Sequence, residues 1–353
     1  MKAIGYKQPQ AISHPEALVD IQLPVPEARG RDLLVKVKAV SVNPVDTKVR
    51  LRAEAEPGQY KVLGWDVAGE VVAVGEAATE FQVGDKVWYA GDITRPGGNA
   101  EFHLVDERIV GRQPANLADA EAAAVPLTAI TAWELLFERL KFKPSSPQQQ
   151  GSAANSVQQD SSVKRQLLIV GAAGGVGSIL TQLASKLTDA TVIGTASRAT
   201  TQRWVKDLGA DYVIDHSKPL TEELKRIGID SVTDVISLTH TDQHFDQLVE
   251  ALAPQGQLAL IDDPVEALDI MKLKLKSLSL HWEMMFTRAM FTTDDIHKQG
   301  ELLNEVAALI EQGVLKTTLG EHYGAINAEN LKRAHAHIET GTAIGKVVLE
   351  GFE

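Results

Sequence analysis

The 353-residue chain contains no cysteine. That excludes disulfides, thiol nucleophiles and every zinc site built on thiolates. Aromatic residues make up only 5% of it, and no stretch reads as the roughly 18 apolar residues of a membrane span. Positive charge is also short. Its 35 Lys and Arg against 47 Asp and Glu give a net charge of −12, which argues against nucleic acid or an anionic membrane as partner. The first residues, MKAIGYKQPQ, lack the apolar core of a signal peptide, so a cytoplasmic location is expected. His240 and His244 are four apart but have no Glu between them, and no metal site is expected.

What the chain has is an organised nucleotide-type segment. Residues 167–170 are a short apolar run stopped by glycine, as in a strand buried on both faces. Past Gly177, Ile179, Leu180, Leu183, Ala184 and Leu187 recur at helical spacing. Between them, Ala172-Ala173-Gly174-Gly175-Val176-Gly177 is a GxGxxG turn with alanine in the first glycine slot. Such a turn lets the backbone approach a pyrophosphate and aims helix N–H groups at it. A second strand reaches residue 195, and Ser197-Arg198 stands where NAD sites usually place an acid. Guanidinium and hydroxyl groups suit a 2′-phosphate, so the expected cofactor is NADPH; a solvated surface arginine is the plainer alternative.

The rest divides in two. Residues 1–125 read as mostly strand, with 32–41 alternating as a half-buried strand should, and frequent glycine turns suggest a barrel-like domain. Helical patterning occupies 119–124 and 129–140, interrupted at Pro126. Residues 144–162, rich in Gln and Ser, read as an insertion with little to bury. From 167 onward strands and helices alternate, as in a doubly wound parallel sheet. Residues 277–285 read as one more strand, extending the sheet or pairing across a dimer. Thr293 is expected to cap a helix ending at Gly313, and the final helix and strand to return to the first domain.

Five further segments carry a resemblance: Ser41-Val42-Asn43-Pro44-Val45-Asp46, Gly64-Trp65-Asp66-Val67-Ala68-Gly69, Phe81 to Val87, Gly98-Asn99-Ala100-Glu101-Phe102, and Pro126 to Ala132. With the nucleotide turn they resemble the medium-chain dehydrogenase/reductase superfamily, and more narrowly its zinc-independent quinone oxidoreductase branch. The resemblance implies an α/β protein: a GroES-like β-rich barrel of residues 1–128 and 293–353 beside a Rossmann domain of 129–292. A homodimer is also expected. Zinc enzymes of the superfamily have a ligand cysteine where this chain has Asn43 and a ligand histidine where it has Trp65, and Asp66 matches the acid of their GHE motif. Without those ligands no zinc polarises an alcohol. The activity implied is hydride transfer from NADPH to quinones or α,β-unsaturated carbonyls, which conjugation already makes electrophilic. Two other readings stand beside it: an enoyl-thioester or other alkene reductase, and an NADPH-binding sensor with weak turnover.

By the same resemblance Asn43 lies near the nicotinamide and donates to a developing oxyanion. Asp46 orients Asn43 or is structural, Trp65 is a pocket wall or simple core, and Tyr60 is a candidate proton donor that solvent can replace. Thr128 falls at the nicotinamide side and His216 near the 2′-phosphate. Leu238-Thr239 falls at the sheet's carboxyl edge.

Overall fold

A computed structural model of the protein describes residues 1–144 and 164–352. The expected insertion, from residue 145 on, lies outside the described residues. Two compact units emerge: Met1–Ile130 with Met285–Glu353, and Thr131–Met284.

The first unit is built on the strand Asp32–Val42, whose eleven residues pair with three neighbours. Its sheet runs Leu319–His322, Lys346–Glu350, Asp32–Val42, Val67–Val74, Lys86–Tyr89, Gly111–Arg112, with Phe102–Asp106 also on Asp32–Val42. A smaller antiparallel sheet joins Val19–Gln22, Lys2–Tyr6 and Lys61–Val62. The final strand pairs Val347 with Val42, and Ser41 Oγ donates to Val347 O at 3.0 Å. That register sets the neighbouring Lys346 beside Asn43, some 300 positions away along the chain.

One correction concerns the helix Pro44–Arg52, which the glycine-rich reading of residues 1–125 did not anticipate. VDTKVRLR has no apolar stripe to announce it. Its start is set locally instead. Pro44 fits the first helical position and drives Asn43 into extended backbone, φ −120° and ψ 159°. Asp46, three residues in, then accepts the Asn43 backbone N–H at 2.8 Å. A second correction concerns Thr293, which does not cap the next helix. Its hydroxyl donates to Asp295, residues 294–297 turn, and the helix runs Lys298–Glu311.

In the second unit six parallel strands lie in the order Tyr212–Ile214, Thr191–Thr195, Gln166–Val170, Val232–Ser237, Leu252–Leu260, Ser279–Trp282. This is the doubly wound order, which leaves a crevice past the strand ends where the order reverses. Leu168, Val170, Ile193, Val235, Leu258 and Leu260 fill the layer between sheet and helices. The helix Gly175–Leu187 buries Ile179, Leu180, Leu183, Ala184 and Leu187, the stripe its sequence shows. The strand Ser279–Trp282 extends the sheet and forms its edge. Residues 119–139, contrary to expectation, are long and apolar enough by composition to cross a membrane, yet they are mostly buried within the protein.

Candidate active site

On the second unit, the turn after Gln166–Val170 begins one residue earlier than the GxGxxG pattern suggests. Gly171 adopts φ +82°, which takes the strain an L-residue would carry. Ala172 then occupies the first glycine slot without conflict, its methyl group against Gly194 of the next strand. Gly177 is required by packing, since a Cβ there would fall 2.4 Å from Gly171 O. Gly174 is different: a Cβ there would meet only Gly171 O, at 3.5 Å. The fold has room for a side chain at Gly174, so its absence serves the outside of the turn. Gly174 is the N-cap of the helix Gly175–Leu187, whose first-turn N–H groups, Val176 among them, head toward that open side. Such a cradle fits a pyrophosphate.

Neighbouring strand ends close around this turn. Gly171 N donates to Thr195 Oγ1 at 3.1 Å, and Leu238 N donates to Val170 O at 3.2 Å. Thr239 Cγ2 would lie 3.0 Å from a Cβ on Gly171, so Leu238-Thr239 and the turn form one edge. Ser197 and Arg198 are exposed just beyond the second strand, with Arg198 at the N-cap of the helix Ala199–Asp207. Ala196 N donates to Ile214 O at 2.9 Å, which brings the end of the third strand alongside. The Asp215 carboxylate there turns onto its own loop, accepting from Ser217 N at 3.0 Å and Ser217 Oγ at 2.7 Å. His216 is half-buried, its ring edge-on to His244 at 6.2 Å, and burial holds its basicity below the usual imidazole range.

On the first unit the chemistry-bearing residues form a buried polar cluster. Asn43 Nδ2 donates to Asp66 Oδ2 at 3.0 Å, and Lys346 Nζ donates to Asn43 Oδ1. Lys346 Nζ also lies 3.0 Å from Asp66 Oδ2. The other Asp66 oxygen accepts Leu127 N at 2.9 Å, beside Thr128, whose hydroxyl donates to Val125 O. Asp46 accepts two backbone N–H groups, from Asn43 and from Gly64 at 3.0 Å. Burial raises both carboxyls, Asp46 to about 7, while the Lys346 charge and the Asn43 amide pull Asp66 back down. Trp65 is fully buried, edge-on to Phe286 at 6.2 Å, and its Nε1 has no partner among the described residues. Tyr60 stands apart: it is half-exposed, and Lys7 Nζ lies 4.8 Å from its ring centre.

Two family models match the chain. One, an alcohol dehydrogenase GroES-like domain, covers residues 29–115; the other, a zinc-binding dehydrogenase, covers 208–349. The "zinc-type alcohol dehydrogenase-like protein" of Staphylococcus epidermidis is 35% identical over 350 residues, 99% of each chain. The chain belongs to the medium-chain dehydrogenase/reductase superfamily, in its quinone oxidoreductase-like branch. Among solved structures of the family, a provisionally assigned zinc-dependent alcohol dehydrogenase of Rhizobium etli CFN 42 is 53% identical. It has a TM-score of 0.92, covering 100% of this chain and 98% of that one. Escherichia coli quinone oxidoreductase complexed with NADPH is 25% identical with a TM-score of 0.81, covering 99% and 100%.

Zinc, which three of these names imply, does not fit the residues present. Asn43 and Trp65 offer neither imidazole nor thiolate; of the two carboxylates beside them, Asp66 is already paired with the Lys346 ammonium and Asp46 accepts the Asn43 and Gly64 backbone N–H groups. Among the described residues no group of three His, Asp or Glu could hold a metal. Lys346 itself escaped the reading of the sequence. Its signal was a lone charge in the apolar strand KVVL, which a buried strand tolerates only with a partner.

Proposed function

We propose that this oxidoreductase passes hydride from NADPH to quinones or α,β-unsaturated carbonyls without a metal. The observation that carries the reading is the buried cluster on the first unit: where zinc enzymes have ligands, it presents an amide donor backed by an ion pair. When bound, NADPH supplies the hydride. Gly174 and the first turn of its helix would cradle the pyrophosphate, and Ser197 and Arg198 would take the 2′-phosphate. The Asp215 carboxylate on the neighbouring strand end is engaged by its own loop, through Ser217. As charge develops on the acceptor's oxygen, the Asn43 N–H would meet it, and water supplies the proton that completes the quinol or saturated ketone. The test is NADPH oxidation against quinones, enones and alcohols after chelator treatment. Turnover with quinones or enones is expected. Activity confined to alcohols and restored by zinc would overturn the proposal.

We also propose a cytoplasmic homodimer, paired along the edge strand Ser279–Trp282, where Trp282 and Met284 are about half exposed. Sedimentation of the wild type against Trp282→Lys checks it; a wild type that sediments as a monomer removes the idea.

A further inference from the structure

Lys346 and Asp66 form an ion pair shut off from water, with side-chain exposures of 3% and 0%. A buried pair costs desolvation that two apolar residues would avoid, so it gives the fold little reason of its own to be there. What the pair does is grip Asn43. A primary amide has two ends of nearly equal size, and its partners alone decide which end faces which way. Here Oδ1 accepts from the Lys346 ammonium and Nδ2 donates to the Asp66 carboxylate at 3.0 Å. Turning the amide over would set N–H against ammonium and oxygen against carboxylate in a dry site. Both gripping groups are themselves held: Asp66 by Leu127 N, and Lys346 by the strand pairing of Val347 with Val42 and by Val42 O at 3.4 Å. Asn43 thus keeps one Nδ2 hydrogen with no partner among the described residues.

We infer that Lys346 is a positioning residue: together with Asp66 it locks the Asn43 amide so that a free N–H, and not the carbonyl, faces the reacting acceptor. The inference rests on the proposed role of Asn43 as donor and deepens it. A locked N–H favours an acceptor with a lone-pair oxygen, such as a quinone or enone, over a hydroxyl group that would itself need to donate.

The experiment compares Lys346→Met, Asn43→Ala and the double variant. Lys346→Met should lower kcat with a quinone about tenfold or more. Its KM for NADPH should stay within about threefold. Because Lys346 acts through Asn43, the double variant should be no slower than Asn43→Ala alone. Independent, multiplying losses would overturn the inference while leaving the proposed activity intact. A second readout does not depend on turnover. The side-chain amide resonances of Asn43, identified by their loss in Asn43→Ala, should shift and broaden in Lys346→Met; unchanged resonances overturn the lock. If no quinone or enone stimulates NADPH oxidation by the wild type, the proposed function fails, and these resonances would still decide the role of Lys346. If Lys346→Met does not fold, Lys346→Leu, which also removes the donor, takes its place. Failure of both to fold would make the lysine a fold determinant and overturn the inference.

Discussion

Asn43 and Arg198 carry the two claims that single residues can test. If the Asn43 amide acts on charge that forms only during reaction, Asn43→Ala should lower kcat by about 100-fold, the order seen when one oxyanion donor is lost. NADPH binding should hardly move, because the ground state holds no such charge. Equal losses in kcat and NADPH affinity would reduce Asn43 to packing. For Arg198 the argument runs through the only group that separates the two nicotinamide cofactors. A hydrogen bond to a charged group contributes about 1.5–3 kcal/mol. Arg198→Ala should therefore weaken NADPH by roughly 10- to 150-fold and leave NADH within about threefold. Titrations at two salt concentrations check this, since Arg198 is exposed and salt screens such a contact. Equal loss for both cofactors would place the phosphate elsewhere. Legibility at this scale was uneven. The glycine turn was plain because its chemistry is local, whereas Lys346 was not, because its partner arrives from the other end of the chain.

At the scale of elements, strands and helices with a burial pattern were read closely. The final helix is present, Ala328–Glu339, and the six parallel strands follow the alternation of strand and helix read from residue 167 onward. Elements defined by their ends were missed. The helix Pro44–Arg52 buries Arg50 and Asp46 instead of an apolar stripe, so periodicity could not find it. The last turn of Thr241–Ala251 shows the same logic. Lys276, from a segment 24 to 27 residues further on, donates to Val249 O at 3.0 Å and to Glu250 O and Leu252 O at 2.7 Å each. An ammonium is well suited to a helix C-terminus, where unpaired carbonyls and the helix dipole meet. Lys276→Met keeps the stem and removes the charge. It should cost about 1–3 kcal/mol of stability while kcat stays unchanged. Denaturant unfolding beside steady-state rates tests this; no loss of stability would mean that water caps those carbonyls equally well.

For the molecule as a whole, acid stability is set by buried groups whose titration differs between the folded and unfolded chain. His103 is locked as a neutral ring: Nε2 lies 2.9 Å from Pro96 O and must donate, which leaves Nδ1 to accept from the Tyr89 hydroxyl at 3.0 Å. Burial pushes His103 down to about 4. Burial likewise pushes His335 down to about 3, and neither of its ring nitrogens has a partner among the described residues. The unfolded chain takes up protons on both from about pH 6.5 downward, so each removes stability as pH falls through that window. Asp46 has the opposite sign. Raised to about 7 by burial, it binds a proton more tightly when folded, so its contribution is present below about pH 4 and lost as pH rises toward 7. Near pH 5 the unfolded state therefore gains two protons and gives up one, a net slope of about 1.4 kcal/mol per pH unit from these three groups. Glu223 and Asp295, held near 2 by hydrogen bonds from Arg226 and Arg288, add their loss at lower pH. His335→Leu removes one titrating group with a side chain of similar volume. At pH 7.5 its stability should stay within about 1.5 kcal/mol of wild type, and its loss of stability between pH 6.5 and 4.5 should be clearly shallower. Asp46→Asn should show the reverse, a lower stability throughout with a steeper acid slope. Urea unfolding at half-unit pH steps measures all three slopes, and an acid slope unmoved by His335→Leu would mean that the ring is already charged in the folded protein.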